Sequence, residues 1–341
     1  MKTSLVVSLI GALLAWPPPG ARAQDVEQVF RQVSPSVVVI RAKGREVTAA
    51  RGIGTFSETG SGVLISMDGK IMTAAHVVHA MDEINVEFVG GERVPARVVA
   101  SEPGADLSLL QLDRVPATAR VAKFGNSDNV RVGNQVVVVG APYGLSHSLS
   151  VGWISAKWPP NTVYRAFPLA EFFQTNATIN TGNSGGPMFS MAGEVIGIVS
   201  HIISKSGGSE GLGFVVTINT ARQLLLEKKS VWAGLEGILL TGELAEIFNV
   251  PGGAGYLVKS VAKGSPAWDA GVQGGDRTAT IGGEEIVVRG DIILAVAGIP
   301  LRTMEDFAKM RERINAMSTG QPVKVSVLRA GRVIELTGKV P

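Results

Sequence analysis

Between residues 37 and 217 the chain is cut into short β-type runs: Val37–Arg41, Gly62–Ser66, Ile84–Phe88, Ala96–Ala100, Leu107–Leu112, Gln135–Gly140, Glu194–Ser200 and Gly213–Thr217. Gly, Asn, Asp and Pro stand between them. Short strands separated by turn residues predict a mostly β architecture, a barrel or a sandwich. The 42 glycines and the few aromatics agree with a turn-rich fold. Helical signals are sparse in this part: a short stretch at Asp25–Gln32, and Asn219–Glu227 with Asn219 or Thr220 as its cap.

The pattern changes after Lys228-Lys229-Ser230. Tyr256–Val261 and Asp291–Val296 read as strands. Ser265-Pro266 opens a helix that Gly271 ends, since a capping serine, a first-turn proline and a terminal glycine each suit those positions. Thr303 caps a longer helix reaching about Met317. Val323–Leu328 and Val333–Leu336 flank an Arg-Ala-Gly-Arg turn. This predicts a second, smaller α+β domain over residues 230–341, as the length of 341 residues also suggests.

The N-terminus has the form of an export signal. Lys2 precedes the apolar run Ser4–Trp16, three prolines end it, and Ala21-Arg22-Ala23 is a small-x-small cleavage site, with the cut expected after Ala23. The run is short for a bilayer span, which takes roughly 20 residues, so an uncleaved membrane anchor is the lesser alternative. Loss of residues 1–23 removes Lys2 and Arg22 and no acid, lowering the net charge from +3 to +1. So small a charge leaves no footprint for nucleic acid. With no cysteine, thiol chemistry is excluded. His76-x-x-His79 has no acid to complete a metal site, and no metal or other cofactor is expected.

One stretch carries chemistry. In Thr178–Ser190, TINTGNSGGPMFS, Ser184 stands between Gly182-Asn183 and Gly185-Gly186. A tight turn explains the glycines; so does a nucleophile whose neighbouring amides face a substrate oxygen. A nucleophilic serine needs a base and a group to orient it. His76, in TAAHVV, follows small residues that leave room for the imidazole; His79 is its rival. Asp106, in ADLSLL, opens an apolar strand, where an acid is costly unless something pairs with it. The sequence Gly182-Asn183-Ser184-Gly185-Gly186 also satisfies the loose G-x-S-x-G pattern of an α/β-hydrolase, but that fold requires the order Ser, acid, His. After Ser184 the remaining histidine is His201, with no aspartate between them. The order His76, Asp106, Ser184 is that of the chymotrypsin-type double barrel.

TAAHVV, ADLSLL and TGNSGGP, in that order and before a small α+β domain, resemble the three catalytic blocks of the HtrA family, trypsin-like serine proteases of the DegP and DegQ type followed by PDZ domains. The resemblance covers nearly the whole chain after the signal. It implies a chymotrypsin-like double β-barrel over residues 24–229 and a PDZ domain over 230–341. It implies that Ser184 attacks the scissile carbonyl, His76 moves the proton, Asp106 orients His76, and the amides of Gly182 and Ser184 bind the oxyanion. Neutral Asn183 stands where digestive relatives carry the aspartate that binds a freed N-terminus, so activation by that ion pair is not expected.

By the same comparison Thr178, Ile179 and Asn180 form the specificity pocket, which lacks an acid and should take a small or medium apolar side chain. Ser200 is placed to hydrogen-bond Asp106, and His201 to form a wall. Residues 207–213 resemble a mobile specificity loop. Leu235, Glu236, Gly237 and Ile238 match the PDZ carboxylate loop, although family members usually lack an acid where Glu236 stands. Arg277–Arg289 is an insert, an inert hairpin or a groove lid. The family implies unfolded or misfolded protein substrates, peptide C-termini bound at the PDZ domain, a homotrimer built through N-terminal segments including Phe30, and a periplasmic or secreted location. The competing functions are a regulatory protease with one anchored substrate and a catalytically silent, chaperone-like binding module.

Overall fold

A computed structural model describes residues 26–49, 52–145, 147–163, 166–228 and 230–340. The export signal at 1–23 lies outside the described residues. Helix α1 (Val26–Val33) and a short 3-10 turn lead into β1 (Val37–Thr48), and Val29 and Val33 pack into the core.

Six strands close the first barrel: β1, β2 (Gly52–Leu64), β3 (Lys70–Thr73), β4 (Glu83–Glu87), β5 (Arg93–Glu102) and β6 (Leu107–Leu112), in the order β1-β2-β3-β6-β5-β4. Helix α2 (Ala75–Val78) bridges β3 and β4. The β1–β2 ladder runs from Val37 opposite Val63 out to Thr48 opposite Gly52, whereas β4 pairs with β1 only from Val39 to Lys43. The far half of this ribbon therefore extends beyond the barrel.

The second unit holds β7 (Lys123–Phe124), β8 (Gln135–Gly140), β9 (Ser148–Trp158), β10 (Phe172–Thr175), β11 (Pro187–Ser190), β12 (Glu194–Ile202) and β13 (Gly213–Thr217). Their order is β11-β8-β9-β10-β13-β12-β7, and a further β11–β12 pairing closes a six-stranded ring. Burial follows the apolar runs: β6, β8 and β13 are inaccessible along almost their whole length. Phe172, Phe189, Val137, Val139 and Phe214 join Val63, Leu107 and Leu109 in one core, so the two barrels share an apolar seam. Helix α3 (Ile218–Arg222) continues to Glu227 in a wider turn.

A third sheet follows, ordered β14 (Leu235–Thr241), β15 (Ala254–Val261), β18 (Ile292–Val296), β20 (Pro322–Arg329) and β21 (Arg332–Lys339), with β19 (Ile299–Pro300) on β18. Three helices accompany it: α4 (Gly242–Ile247), α5 (Pro266–Asp269) and α6 (Met304–Asn315). Ser265 caps α5 through the Trp268 amide, and Thr303 caps α6 in a reciprocal box with Asp306. The insert is a separate hairpin, β16 (Arg277–Ile281) and β17 (Glu284–Val288), turned at Gly282-Gly283, both at positive φ. The segment Leu235–Ile238 is not a free loop: it begins β14, at a sheet edge, with a bulge between Glu236 and Gly237. A Cβ on Gly237 would stand 2.0 Å from the Leu257 carbonyl, which explains the glycine.

Among the described residues no helix is long and apolar enough to cross a membrane, and no cluster of acids and histidines is suited to a metal ion.

Candidate active site

His76 rides on α2, a helix too short to be stable alone and held by packing of Ala75, Val77 and Val78 into the first barrel. Asp106 lies between a 3-10 turn and β6, in the left-handed region at φ 55°. It is 1% exposed. A buried carboxylate must be satisfied, and four donor contacts do so. His76 Nδ1 lies 2.9 Å from Oδ1 and 3.0 Å from Oδ2, the His76 amide donates to Oδ1 at 3.1 Å, and the Ser200 hydroxyl donates to Oδ2. A further backbone bond runs from the Ala75 amide to the Asp106 carbonyl at 3.1 Å. Acid and base are thus joined through main chain and side chain together. With Asp106 ionised, His76 carries its proton on Nδ1, which leaves Nε2 as the acceptor. Burial pulls the His76 pKa down, but the Asp106 hydrogen bond and charge, aided by Glu58, leave it above the ordinary 6.5.

Ser184 sits in the turn before β11. Its hydroxyl donates to the Ser200 carbonyl at 3.3 Å, and no hydrogen bond joins it to His76. The orientation of its neighbouring amides follows from peptide geometry. In a trans peptide the carbonyl and the next N–H point in opposite directions. The Thr181 carbonyl accepts from the Tyr143 amide at 2.8 Å, so the Gly182 N–H faces away from the 141–145 loop. The Asn183 carbonyl accepts from the Gly186 amide at 2.9 Å, so the Ser184 N–H also faces away from that bond. Neither N–H meets a protein acceptor among the described residues. Gly182 has φ 100°, and a Cβ there would fall 2.2 Å from the Ala141 carbonyl. Gly185 has φ 80°, with Thr73 Oγ1 at 2.1 Å from such a Cβ. These two glycines are required by close approach as well as by conformation.

The turn is fastened to the first barrel by Ser61, which reading from sequence missed. Its amide donates to the Ser184 carbonyl at 2.8 Å and its hydroxyl to the Gly182 carbonyl at 2.7 Å. The same hydroxyl accepts from the Ala141 amide at 2.9 Å. Glycines on both sides, Gly60 and Gly62, were the available signal: a Cβ on Gly60 would touch the Ser184 carbonyl at 3.0 Å.

The other anticipated residues are spread around this turn. Thr178 is exposed, whereas Ile179 is 2% exposed and packs in the core of the second barrel. Asn180 Oδ1 accepts from the Ser209 amide at 3.0 Å, and the Ile179 amide meets Ser209 Oγ at 3.4 Å. The 204–210 loop is gathered by Glu210, whose carboxylate accepts from the amides of Lys205 and Ser206 and from the hydroxyls of Ser204 and Ser206. These donors hold Glu210 below the usual carboxylate range. His201 packs among Phe167, Phe172 and Phe214. Burial pushes its pKa down to about 4; His76 adds to the fall and the Asp106 charge opposes it.

His79 points away from the His76–Asp106 pair. Its Nδ1 contacts Ser101 Oγ at 2.7 Å, its Nε2 the Leu235 carbonyl at 3.1 Å, and its own carbonyl accepts from Trp232 Nε1 at 2.8 Å. Glu236 pairs with Lys259 at 3.2 Å on the surface. Between the first barrel and the third sheet lies a cleft of about 460 Å³ that includes His76, Phe56, Met81, Phe167, Glu236 and Val287. Val287 belongs to the inserted hairpin.

The family profile described as "Trypsin-like peptidase domain" matches residues 60–198, which contain His76, Asp106 and Ser184. A "Probable periplasmic serine endoprotease DegP-like" of Pseudomonas fulva is 36% identical over 261 residues, covering 74% of this chain and 53% of that protein. One of the same description from Hahella chejuensis is 39% identical over 246 residues, covering 69% of this chain and 50% of that protein. The solved structure "HtrA-type protease AlgW with decapeptide" has a TM-score of 0.52 at 27% identity, over 92% of this chain and 97% of that one. The chain belongs to the HtrA family. It spans about half the length of the curated relatives it matches. A second HtrA-type structure, AlgW with a tripeptide, gives the same TM-score of 0.52 at 29% identity over 92% of this chain.

Proposed function

We propose that this HtrA-family chain is an exported serine endopeptidase that cleaves unfolded or damaged polypeptides. The observation that carries this reading is the buried Asp106 carboxylate fixing His76 Nδ1 within the trypsin-like segment that also holds Ser184. Rotation of the Ser184 side chain away from the Ser200 carbonyl brings its hydroxyl to His76 Nε2, which takes the proton as Oγ attacks the substrate carbonyl. Asp106 stabilises the imidazolium. The oxyanion that forms is received by the Gly182 and Ser184 amides, whose lack of protein acceptors supports the assignment; one such donor is worth about 3–4 kcal/mol of barrier. His76 then returns the proton to the leaving amine, and water repeats the sequence on the acyl-enzyme.

Residues 24–229 form the protease domain in this reading and residues 230–341 a PDZ domain. Thr178, Ile179 and Asn180 border the pocket for the residue before the cut. A peptide C-terminus adds as a strand beside the free edge of β14, its carboxylate near Leu235–Ile238. The protein works in the periplasm as a trimer, after cleavage behind Ala23; the descriptions of the relatives support the compartment.

Fluorophosphonate labelling and casein cleavage test the assignment together. The wild-type protein is expected to show both, and Ser184→Ala neither, with unchanged circular dichroism. Equal activity in that variant removes the reading. A second reading, a silent binding module, is favoured by the present bond of the Ser184 hydroxyl to the Ser200 carbonyl. Failure of the folded wild-type protein to label, with or without a peptide ending in apolar residues, selects it.

A further inference from the structure

His201 touches none of the reacting atoms, yet it is joined to them through one hydroxyl. Its Nδ1 lies 3.1 Å from Ser200 Oγ, and Ser200 Oγ donates to Asp106 Oδ2. Neighbouring side chains on a regular strand point to opposite faces and do not meet in this way. A bulge makes the contact: on β12 the register against β13 shifts between Val199 and His201, leaving Ser200 as the extra residue. A β-bulge re-aims side chains next to an active site.

Proton bookkeeping then fixes the direction of each bond. A serine hydroxyl has one proton, and an ionised carboxylate only accepts. The Ser200 proton therefore belongs to Asp106, and the contact with His201 must be donated by the imidazole. His201 holds its proton on Nδ1. The ring is kept in that plane by its neighbours: Phe214 lies parallel at 5.0 Å and 7°, Phe172 edge-on at 5.4 Å and 89°, and Phe167 tilted at 5.4 Å.

We infer that His201 is a positioning residue: its Nδ1–H, held by the phenylalanine box, commits the Ser200 hydroxyl to Asp106 and so sets the strength with which Asp106 holds His76. The inference rests on the proposed triad. Donation from a neutral N–H makes the Ser200 hydroxyl a better donor and spreads part of the Asp106 charge. Without it Asp106 becomes more basic and His76 retains its proton to higher pH. Among the described residues the charged groups that act here include Asp106 and His76 on His201, and Asp106 and Glu58 on His76.

Two substitutions separate this role from that of a simple wall. His201→Phe keeps the ring stack and deletes the donor. His201→Asn deletes the stack and restores an N–H near the Nδ1 position. The assay is the pH dependence of kcat and KM on an internally quenched peptide, together with the rate of fluorophosphonate labelling. The expected result is a fall of about three- to tenfold in kcat for His201→Phe, the fold-change of one lost hydrogen bond. KM should stay within about twofold, since the wall remains. The acidic limb should move to higher pH, and His201→Asn should recover both kcat and limb. Wild-type kcat and limb in His201→Phe overturn the inference, as does a fall in kcat with the limb unmoved or not recovered by Asn. Absence of labelling in the wild type strikes the triad itself, and the inference falls with it; labelled wild type with unaffected His201→Phe strikes the inference alone.

Discussion

The chemistry of a single proton separates His76 from the other histidines. His79 and His201 are half-buried and pushed toward neutrality, each by desolvation before anything else. His76 alone has a carboxylate strong enough to reverse that tendency. Only neutral His76 can act as base, so a raised pKa places the acidic limb of kcat/KM above pH 6.5, with activity lost as pH falls through it. Asp106→Asn should lower kcat by about four orders of magnitude, as loss of the orienting acid does in triads generally. It should also shift the limb downward, because desolvation is then opposed by Glu58 alone. A pH–rate profile of both proteins checks the sign; a limb below 6.5 in the wild type contradicts the assignment.

At the scale of elements, the inserted hairpin offers a clean separation of chemistry from access. None of the residues in β16 or β17 is fully buried, and its contribution to the core is limited to partly covered groups such as Ile286. Replacing residues 277–288 by a short turn should cost less than about 1 kcal/mol of stability. It removes Val287 from the cleft wall beside His76. Small fluorophosphonates should label the shortened protein at the wild-type rate while casein cleavage rises several-fold. Equal cleavage of casein by the two proteins shows that the hairpin restricts nothing.

Elements differ in how plainly their residues announce them. Leu107–Leu112, Gln135–Gly140 and Gly213–Thr217 were legible to the residue because they are apolar runs buried on both faces. Ser148–Trp158 was not, since its exposed positions carry mixed polar and aromatic residues. The outer half of the β1–β2 ribbon is charged and is held by cross-strand pairing, which composition does not report. Leu235–Ile238 read as a loop from the resemblance to the PDZ carboxylate loop; in the structure it begins a strand, and the neighbouring Leu257 carbonyl demands the glycine at 237. The sequence order of His76, Asp106 and Ser184 pointed to the fold. The Ser61 clasp joins distant segments and is marked locally only by the flanking Gly60 and Gly62, and the Ser200–His201 contact arises from a bulge that leaves no local trace.

Over the whole molecule, the third sheet is fixed to the first barrel at several points rather than tethered by a loose linker. Trp232 Nε1 donates to the His79 carbonyl, one turn beyond His76, at 2.8 Å. Arg45 reaches the Val261 carbonyl at 2.8 Å, Asp82 accepts from the Lys263 amide at 2.8 Å, and Arg311 pairs with the largely buried Glu102. Trp232→Phe removes one of these bonds and should cost about 1 kcal/mol. Scanning calorimetry should show the melting transition lowered by about 2–4 °C or divided into two. An unchanged single transition argues that the two parts are not coupled there.

The clasp of Ser61 on residues 182 and 184 lies across the seam between the barrels. Warming that first prises the halves apart must displace Ser184 before either half melts. Fluorophosphonate labelling of Ser184 should consequently fade at a lower temperature than the circular dichroism signal, so that loosening of the seam silences this turn before the fold is lost.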